Sequence, residues 1–199
     1  MGAGHCGHAI VGAARNVWHD VQAVSSGAGG EAPRGFANVL ATARNYDEIT
    51  GNLGKTWEVS LNTYKPFACG IVIHPIIDGC VQLRNEHKLK AADIESIALK
   101  VHPLVLELTG KKTPQVGLEG KFSVFHSAAV AIIHGEGGED VYSDEVVRNP
   151  EVITLRDKVS AEVDKSVHED AAHVTIKLKD GRTLIKHVEH AIGSLARPM

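Results

Sequence analysis

The stretch that decides the fold runs from residue 64 to residue 79 and reads YKPFACGIVIHPIIDG. A tyrosine, a lysine and a proline stand directly before an apolar run, and a histidine and an aspartate stand inside that run. Apolar residues recur from here at three- and four-residue spacing, which predicts an amphipathic helix within residues 70–88. Because Pro75 fits the first turn of a helix, the regular helix is expected to begin near His74.

Further along the chain, the patterns predict a mixture of helices and strands. We expect a strand over residues 94–102, a helix over residues 123–133, and two short helices separated at Asn149–Pro150. The end of the chain alternates between apolar and polar residues around the turn Asp180–Gly181, which predicts a hairpin of half-buried strands. The expected fold class is α+β, a two-layer sandwich in which a mainly antiparallel sheet packs against helices.

The segments between these elements carry weaker patterns. Short alternation in LGKTWEVSLN, residues 53–62, favours a strand, whereas the glycines and prolines of residues 105–120 favour a loop. The sequence GEGGED, residues 135–140, predicts a turn; it is acidic and has no lysine, so it cannot bind phosphate as a P-loop does. Residues 1–30 have no sustained period, and we expect poor order there or a short helix over residues 9–24.

Composition narrows the class of protein. The formal charge of −3 and the pI of about 6.4 give no reason to expect a nucleic acid or an anionic membrane as a partner. The three cysteines, Cys6, Cys69 and Cys80, are too sparse for a disulfide scaffold and favour a reduced, cytoplasmic setting. His5, Cys6 and His8 lie close together, but no other segment completes a metal site at a recognisable spacing, so no metal is expected.

Lys65 is the first candidate for a binding residue. A small anion beside it would gain from the lysine charge and from free backbone N–H groups at the start of the helix. An ordinary surface lysine is the alternative interpretation. His74 and His126 stand in apolar helices, where each is either a functional group or a core histidine with satisfied hydrogen bonds. Asp78 stands four residues after His74, and a simple pairing of the two side chains on one helix face is the alternative to a functional role for Asp78.

Several stretches together resemble the MmgE/PrpD family, which includes 2-methylcitrate dehydratase of propionate catabolism, cis-aconitate decarboxylase and iminodisuccinate epimerase. The resemblance covers about residues 31–199, and the lysine–proline segment that leads into a helical His-Pro is its most specific part. The stretches are RGFANVLATARNYDEI, NTYKPFACGIVIHPIIDGCVQLR, EGKFSVFHSAAVAI and TIKLKDGRTLIKHVEHAIGS.

This resemblance implies a homodimeric lyase or isomerase that acts on small di- and tricarboxylates and needs no metal or organic cofactor. It implies an active site in a cleft between a large helical domain and a smaller α+β lid domain. Lys65 and Tyr64 fall at positions expected to bind a substrate carboxylate, and His74 and His126 at positions expected to be catalytic. A base would remove the proton next to a carboxylate, and cations such as Lys65 would stabilise the dianionic intermediate.

The resemblance also predicts a domain organisation. Residues 1–30 match nothing in the family, residues 31–56 correspond to a remnant of the helical domain, and residues 57–199 correspond to the lid. Since the helical domain carries the principal acid and base, the chain is expected to be inactive alone. Alternatively it is a non-catalytic product or one half of a split protein that docks on a helical partner. A third interpretation is a binding module that uses the hairpin lysines Lys177, Lys179 and Lys186, against which stands an ordinary solvated sheet face.

Overall fold

The computed structural model describes residues 42–43, 47, 51–52 and 54–199. Contacts divide the chain into two compact units, Met1–Glu58 and Val59–Met199, and the second unit carries the elements considered below. The predicted helix over residues 9–24 lies outside the described residues. The predicted division into residues 1–30, 31–56 and 57–199 stays a prediction.

Ten regular elements form the described part of the second unit. The helices are α1 (His74–His87), α2 (Pro103–Thr109), α3 (Gly117–Gly120), α4 (Val124–His134), α5 (Asp144–Val147) and α6 (Pro150–Arg156). The strands are β1 (Ile94–Val101), β2 (Val159–Val163), β3 (Ala172–Leu178) and β4 (Thr183–Val188). Short 3-10 turns lie at Glu58–Leu61, Ile71–Ile73, Ala91–Asp93 and Glu139–Tyr142.

The four strands form one sheet in the order β2–β1–β3–β4. β1 pairs antiparallel with β3, and β3 pairs antiparallel with β4 across the predicted hairpin. β2 joins β1 in parallel, which is possible because helices α2 to α6 supply the crossover connection between them. The predicted α+β fold class is confirmed, with a sheet that is mixed because of this one parallel pair.

A bulge in β1 explains the mixed periodicity of its sequence. Ile94, Ile97, Leu99 and Val101 are all buried, so the inward positions are first three and then two residues apart. The pairing register with β3 shifts between Ile94 and Ser96. The additional residue lets Ile94 face the core together with Ile97.

The core lies between the sheet and a helical layer. α1 packs against α4, and α1 also contacts β3 and β4. On β3 the buried residues Val174, Ile176 and Leu178 alternate with more exposed polar residues, as predicted. Within the part of the chain that the structure describes, no helix combines the length and the apolar character needed to cross a bilayer.

Local signals fix the ends of the two longest helices. α1 begins at His74 with Pro75 in its first turn, as predicted. α4 begins after Ser123, whose hydroxyl accepts the His126 N–H at 3.1 Å, and Gly135 ends it in the left-handed conformation with φ of 77°. The start of α1 therefore follows from a proline, and both ends of α4 follow from capping residues in the sequence.

Two of the weaker predictions are wrong. Residues 58–61 form a 3-10 turn and not a strand. The segment predicted as a loop contains the helices α2 and α3. His102 Nδ1 accepts the Leu104 N–H at 3.2 Å and Pro103 occupies the first helical turn, so the His-Pro pair that ends β1 also begins α2.

Gly79 determines how closely α1 approaches the sheet. A Cβ at this position would lie 2.9 Å from Val174 Cγ2 and 3.2 Å from Val188 Cγ2. Both valines are buried and β-branched, so neither side chain can turn away freely. Overpacking costs about 1–3 kcal/mol, whereas alanine gains about 1 kcal/mol over glycine in a helix. We expect Gly79→Ala to lower the free energy of unfolding by about 1 kcal/mol in a denaturant titration.

Asn85→Ala is the matched control, because Asn85 is exposed on the same helix. It gains helix propensity and loses only one exposed hydrogen bond, from Arg84 Nη1 at 3.1 Å, so its free energy of unfolding should stay close to that of the wild type. A Gly79→Ala variant that is as stable as the Asn85→Ala variant would show that the close approach does not constrain the fold.

Candidate functional site

Two cavities lie beside the segment that leads into α1. The first, here the Lys65 cavity, has a volume of about 430 Å³, and its walls include Lys65, Phe67, Cys69, Leu118, Lys121 and Phe122. The second, here the His74 cavity, has a volume of about 340 Å³, and its walls include Tyr64, Ile71, His74, Asp170, Ala191 and Gly193. The sequence-predicted residues are therefore divided between two cavities.

Main-chain hydrogen bonds fix the walls of the Lys65 cavity. The Gly70 N–H donates to the Lys121 carbonyl at 3.0 Å, and the Ala68 N–H donates to the Gly137 carbonyl at 2.9 Å. The Lys121 N–H in turn donates to the Gly117 carbonyl at 3.1 Å, at the end of α3. The two lysines thus come from segments distant in sequence, joined by backbone contacts.

The two lysines differ in their electrostatic partners. Among the described residues, no carboxylate forms an ion pair with Lys65, which is exposed. Lys121 Nζ lies 2.9 Å from Glu139 Oε1. The hydrogen bond and the charge of Lys121 lower the pKa of Glu139. A free cation and a paired cation therefore line one open cavity.

Cys69, in the wall of the Lys65 cavity, and its hydrogen-bond partner Tyr142 both have pKa values that do not suit a nucleophile. Burial raises the pKa of the Cys69 thiol to about 11, against the opposing effects of Tyr142 and of the Lys65 and Lys121 charges. A thiol with this pKa is protonated at neutral pH and is a poor nucleophile. Burial also raises the pKa of Tyr142, whose hydroxyl lies 3.0 Å from Ser127 Oγ. This cavity is thus suited to binding an anion and not to nucleophilic attack.

His74 is almost completely enclosed. Its side chain is 2% exposed, and its ring meets the Phe67 ring edge to face at a centroid distance of 5.2 Å. Nε2 is buried and has no hydrogen-bond partner among the described residues. Burial, followed by the charge of Lys65, lowers the pKa of His74 to about 4. The imidazole is therefore neutral at physiological pH.

A buried carboxylate fixes the far wall of the His74 cavity. Asp78 accepts hydrogen bonds from Gln82 Nε2 at 2.8 Å, from the Ile192 N–H at 3.1 Å and from Arg197 Nη1 at 2.5 Å. The predicted pairing of Asp78 with His74 is wrong, because Gln82, four residues further along α1, supplies one donor and the C-terminal segment supplies the other two. Spacing along a helix does not reveal partners that come from a distant segment.

Tyr64 meets this C-terminal segment through its main chain. The Tyr64 N–H donates to the Gly193 carbonyl at 2.8 Å, while the Tyr64 side chain is 62% exposed. Gly193 has a φ of 90°, and a Cβ there would lie 2.5 Å from the Tyr64 carbonyl oxygen. Only glycine fits this contact.

Two acidic residues, Glu169 and Asp170, contribute to the wall of the His74 cavity. Asp170 Oδ2 lies 2.8 Å from His190 Nδ1, and Asp170 Oδ1 forms a hydrogen bond with His168 Nδ1. Glu169 stands beside it in the same wall. A cavity with two acidic residues in its wall and a neutral imidazole is a poor environment for a polycarboxylate.

His126 lies in the core on α4 and lines neither cavity. Its ring is fully buried, Nε2 donates to the Val141 carbonyl at 3.0 Å, and burial lowers its pKa. Nδ1 has no partner among the described residues. The structure therefore does not bring His126 together with Lys65, and its catalytic role stays a prediction, as does that of His74.

Lys121 is the residue that sequence reasoning missed. It stands directly before Phe122 and the N-cap Ser123 of α4. A lysine just ahead of a helix is the same signal that singled out Lys65, so the sequence contained the information. What it could not reveal is that the two lysines line one cavity.

Two of the three hairpin lysines form ion pairs, whereas the exposed Lys179 has none among the described residues. Lys177 Nζ lies 2.7 Å from Glu95 Oε1, and Lys186 Nζ lies 2.6 Å from Glu86 Oε1. These pairs favour the solvated sheet face over the binding-module interpretation. No group of three or more histidine, cysteine or acidic residues in the described part of the chain could hold a metal ion. His5, Cys6 and His8 lie outside the described residues.

Residues 67–199 match the MmgE/PrpD C-terminal domain. The chain belongs to the MmgE/PrpD family. No curated protein sequence gives a significant match to it. The match includes His74, Lys121 and His126, and it begins two residues after Lys65. Most of the wall of the Lys65 cavity therefore lies within the family domain.

The enclosed histidine makes stability depend on pH. In the folded protein the pKa of His74 is about 4, below the ordinary value of 6.5, so the unfolded chain takes up the proton first as the pH falls. The contribution is complete above about pH 6.5 and is lost between about pH 6.5 and pH 4, by at most about 3 kcal/mol. We expect His74→Leu to make the free energy of unfolding less dependent on pH across this range.

His87→Asn is the control, because His87 is an exposed histidine at the other end of α1. This variant should retain the full loss of stability on acidification. Denaturant titrations at several pH values measure all three proteins. Equal pH slopes for the wild type and His74→Leu would mean that the imidazole is not held neutral by the fold.

Proposed function

We propose that this chain carries the carboxylate-binding half of a lyase or isomerase of the MmgE/PrpD type, acting on a small di- or tricarboxylate. The observation that carries the proposal is the exposed Lys65, without an ion pair among the described residues, at an open cavity of about 430 Å³. A cation without an internal counter-ion is ready to bind an external anion. The membership in the MmgE/PrpD family supports the substrate class.

In the proposed reaction Lys65 binds a substrate carboxylate. Removal of the proton from the adjacent carbon spreads a second negative charge over that carboxylate. The ammonium group stabilises this dianion more than it stabilises the substrate, which lowers the barrier. The electron pair of the dianion then forms the C=C bond while a general acid protonates the leaving hydroxyl, which departs as water, or the proton returns to the opposite face.

His74 and His126 are the candidates of this chain for the acid and the base. His74 is neutral and so in the form that accepts a proton, and it lies close enough to Lys65 for that charge to lower its pKa. Its ring is nevertheless 2% exposed, and His126 is fully buried. Proton transfer through either ring requires the ring to become accessible. We retain both as the catalytic candidates of this chain.

The test of this function is binding and turnover of citrate, 2-methylcitrate and cis-aconitate by the full chain. Lys65→Ala should weaken binding of each acid at least severalfold, because a charge-assisted hydrogen bond is lost. Lys55→Ala is the control, since Lys55 is an exposed lysine that lines neither cavity. Calorimetric affinities that are identical for wild type and Lys65→Ala would contradict the proposal.

A second function is favoured by the exposed apolar rim of the Lys65 cavity. Leu118 is 69% exposed and Phe122 is 49% exposed, on either side of Lys121. Large apolar side chains grouped at a cavity mouth are typical of a surface that another chain covers. On this alternative the chain is non-catalytic alone and docks on a helical partner, which supplies the acid and base.

An assay in which the chain is mixed with a helical domain distinguishes the two proposed functions. The full chain is assayed with cis-aconitate alone and after addition of a separately expressed helical domain from an MmgE/PrpD protein. Turnover by the chain alone would support independent catalysis. Turnover only in the mixture, lost in Leu118→Asp, would support docking. A Leu195→Asp variant changes another exposed leucine away from this rim and should not affect the mixture.

A further inference from the structure

The acidic turn GEGGED packs against Phe67 and Ala68, two residues in the wall of the Lys65 cavity. The Gly137 carbonyl accepts the Ala68 N–H at 2.9 Å, and a Cβ on Gly137 would lie 3.0 Å from the Phe67 ring. The turn therefore packs directly on the segment that carries Lys65. Its next acidic residue, Glu139, extends to Lys121.

Glu139 is placed as a carboxylate that holds Lys121. The distance from Lys121 Nζ to Glu139 Oε1 is 2.9 Å. The Glu139 side chain is 82% exposed, whereas that of Lys121 is 29% exposed. Because Glu139 is so exposed, the pair is an ordinary surface ion pair that a competing anion can open at little cost.

The two lysines act on one enclosed group between them. Gly70, which follows Cys69, donates its N–H to the Lys121 carbonyl at 3.0 Å. The charges of Lys65 and Lys121 both act to lower the pKa of the Cys69 thiol, which lies in the cavity wall. Lys65 and Lys121 therefore face the same space, from two different segments.

We propose that Lys121 is a second carboxylate-binding residue of this cavity and that Glu139 occupies it, as an internal carboxylate, until a substrate carboxylate displaces it. The inference rests on the proposed function and adds a specificity determinant to it. A substrate with two or more carboxylates spans Lys65 and Lys121. A polycarboxylate held at Lys65 presents its second carboxylate to Lys121 at a high effective concentration, whereas a monocarboxylate has no such anchor and leaves the pair of Lys121 with Glu139 largely intact.

This arrangement sets a threshold for binding. Displacing Glu139 opposes the binding of every polycarboxylate, while the released Glu139 side chain returns to solvent. It also keeps the cavity from holding two unpaired ammonium groups when it is empty. Selection between mono- and polycarboxylates then comes from whether the ligand can replace Glu139.

The test is the dissociation constant of the full chain for citrate, succinate and acetate at low ionic strength. Glu139→Gln should lower the dissociation constant for citrate and succinate about twofold to fivefold, the range that an exposed ion pair supports. The dissociation constant for acetate should not change. Lys121→Gln should raise the dissociation constants for citrate and succinate and leave the dissociation constant for acetate unchanged.

A double variant and a matched control complete the experiment. In the Lys121→Gln background, Glu139→Gln should not lower the dissociation constants for citrate and succinate, because the lysine that pairs with Glu139 is absent. Glu95→Gln removes the exposed pair with Lys177 and changes the net charge equally. It should leave all three dissociation constants at their wild-type values.

The outcomes distinguish this inference from the proposed function. If the dissociation constant for citrate depends on Lys65 but is unchanged by Glu139→Gln, the inference is overturned and the proposed function is retained. A gain that persists in the Lys121→Gln background, or that appears equally in Glu95→Gln, also overturns the inference. Absence of citrate binding at millimolar concentration in both wild type and Glu139→Gln overturns the function together with the inference.

Discussion

The close packing of α1 on β3 and β4 is the constraint on which the rest of the domain depends. At Gly79 the helix lies so close to the sheet that a Cβ would come within 2.9 Å of Val174 Cγ2 and 3.2 Å of Val188 Cγ2. Once α1 lies there, His74 at its start and Asp78 one turn later have fixed positions. The helix thus contributes His74 and Pro75 to the wall of the His74 cavity as well as its buried residues to the core.

Much of the fold could be predicted because its signals are local. Pro75, Ser123 and Gly135 mark helix ends through their own backbone preferences, and Asp180–Gly181 marks the hairpin turn. Prediction from the sequence was wrong where one pair of residues both ends a strand and begins a helix. His102–Pro103 ends a strand, but its capping of α2 became visible only from the Leu104 N–H bond. The parallel strand β2 likewise depends on a nonlocal pairing.

The candidate site was less predictable because it is assembled from distant segments. Lys65 could be singled out from its neighbours, but its relation to Lys121 depends on the hydrogen bond from Gly70 to the Lys121 carbonyl. Asp78 was assigned the wrong partner for the same reason, since Arg197 and Ile192 come from the end of the chain. Spacing within a helix reports its faces and not what another segment brings to them.

Burial separates the two kinds of candidate residue. An imidazole can enter the core as a neutral group, and the low pKa of His74 shows that this one does. An ammonium group stays charged and must keep contact with water or with a carboxylate, so Lys65 and Lys121 lie at the surface of an open cavity. The proposed recognition of anions therefore depends on the lysines and not on the histidines. The exposed ion pair with Glu139 follows from the same rule, because Lys121 is stabilised by a counter-charge, and this is the group that we propose an incoming carboxylate replaces.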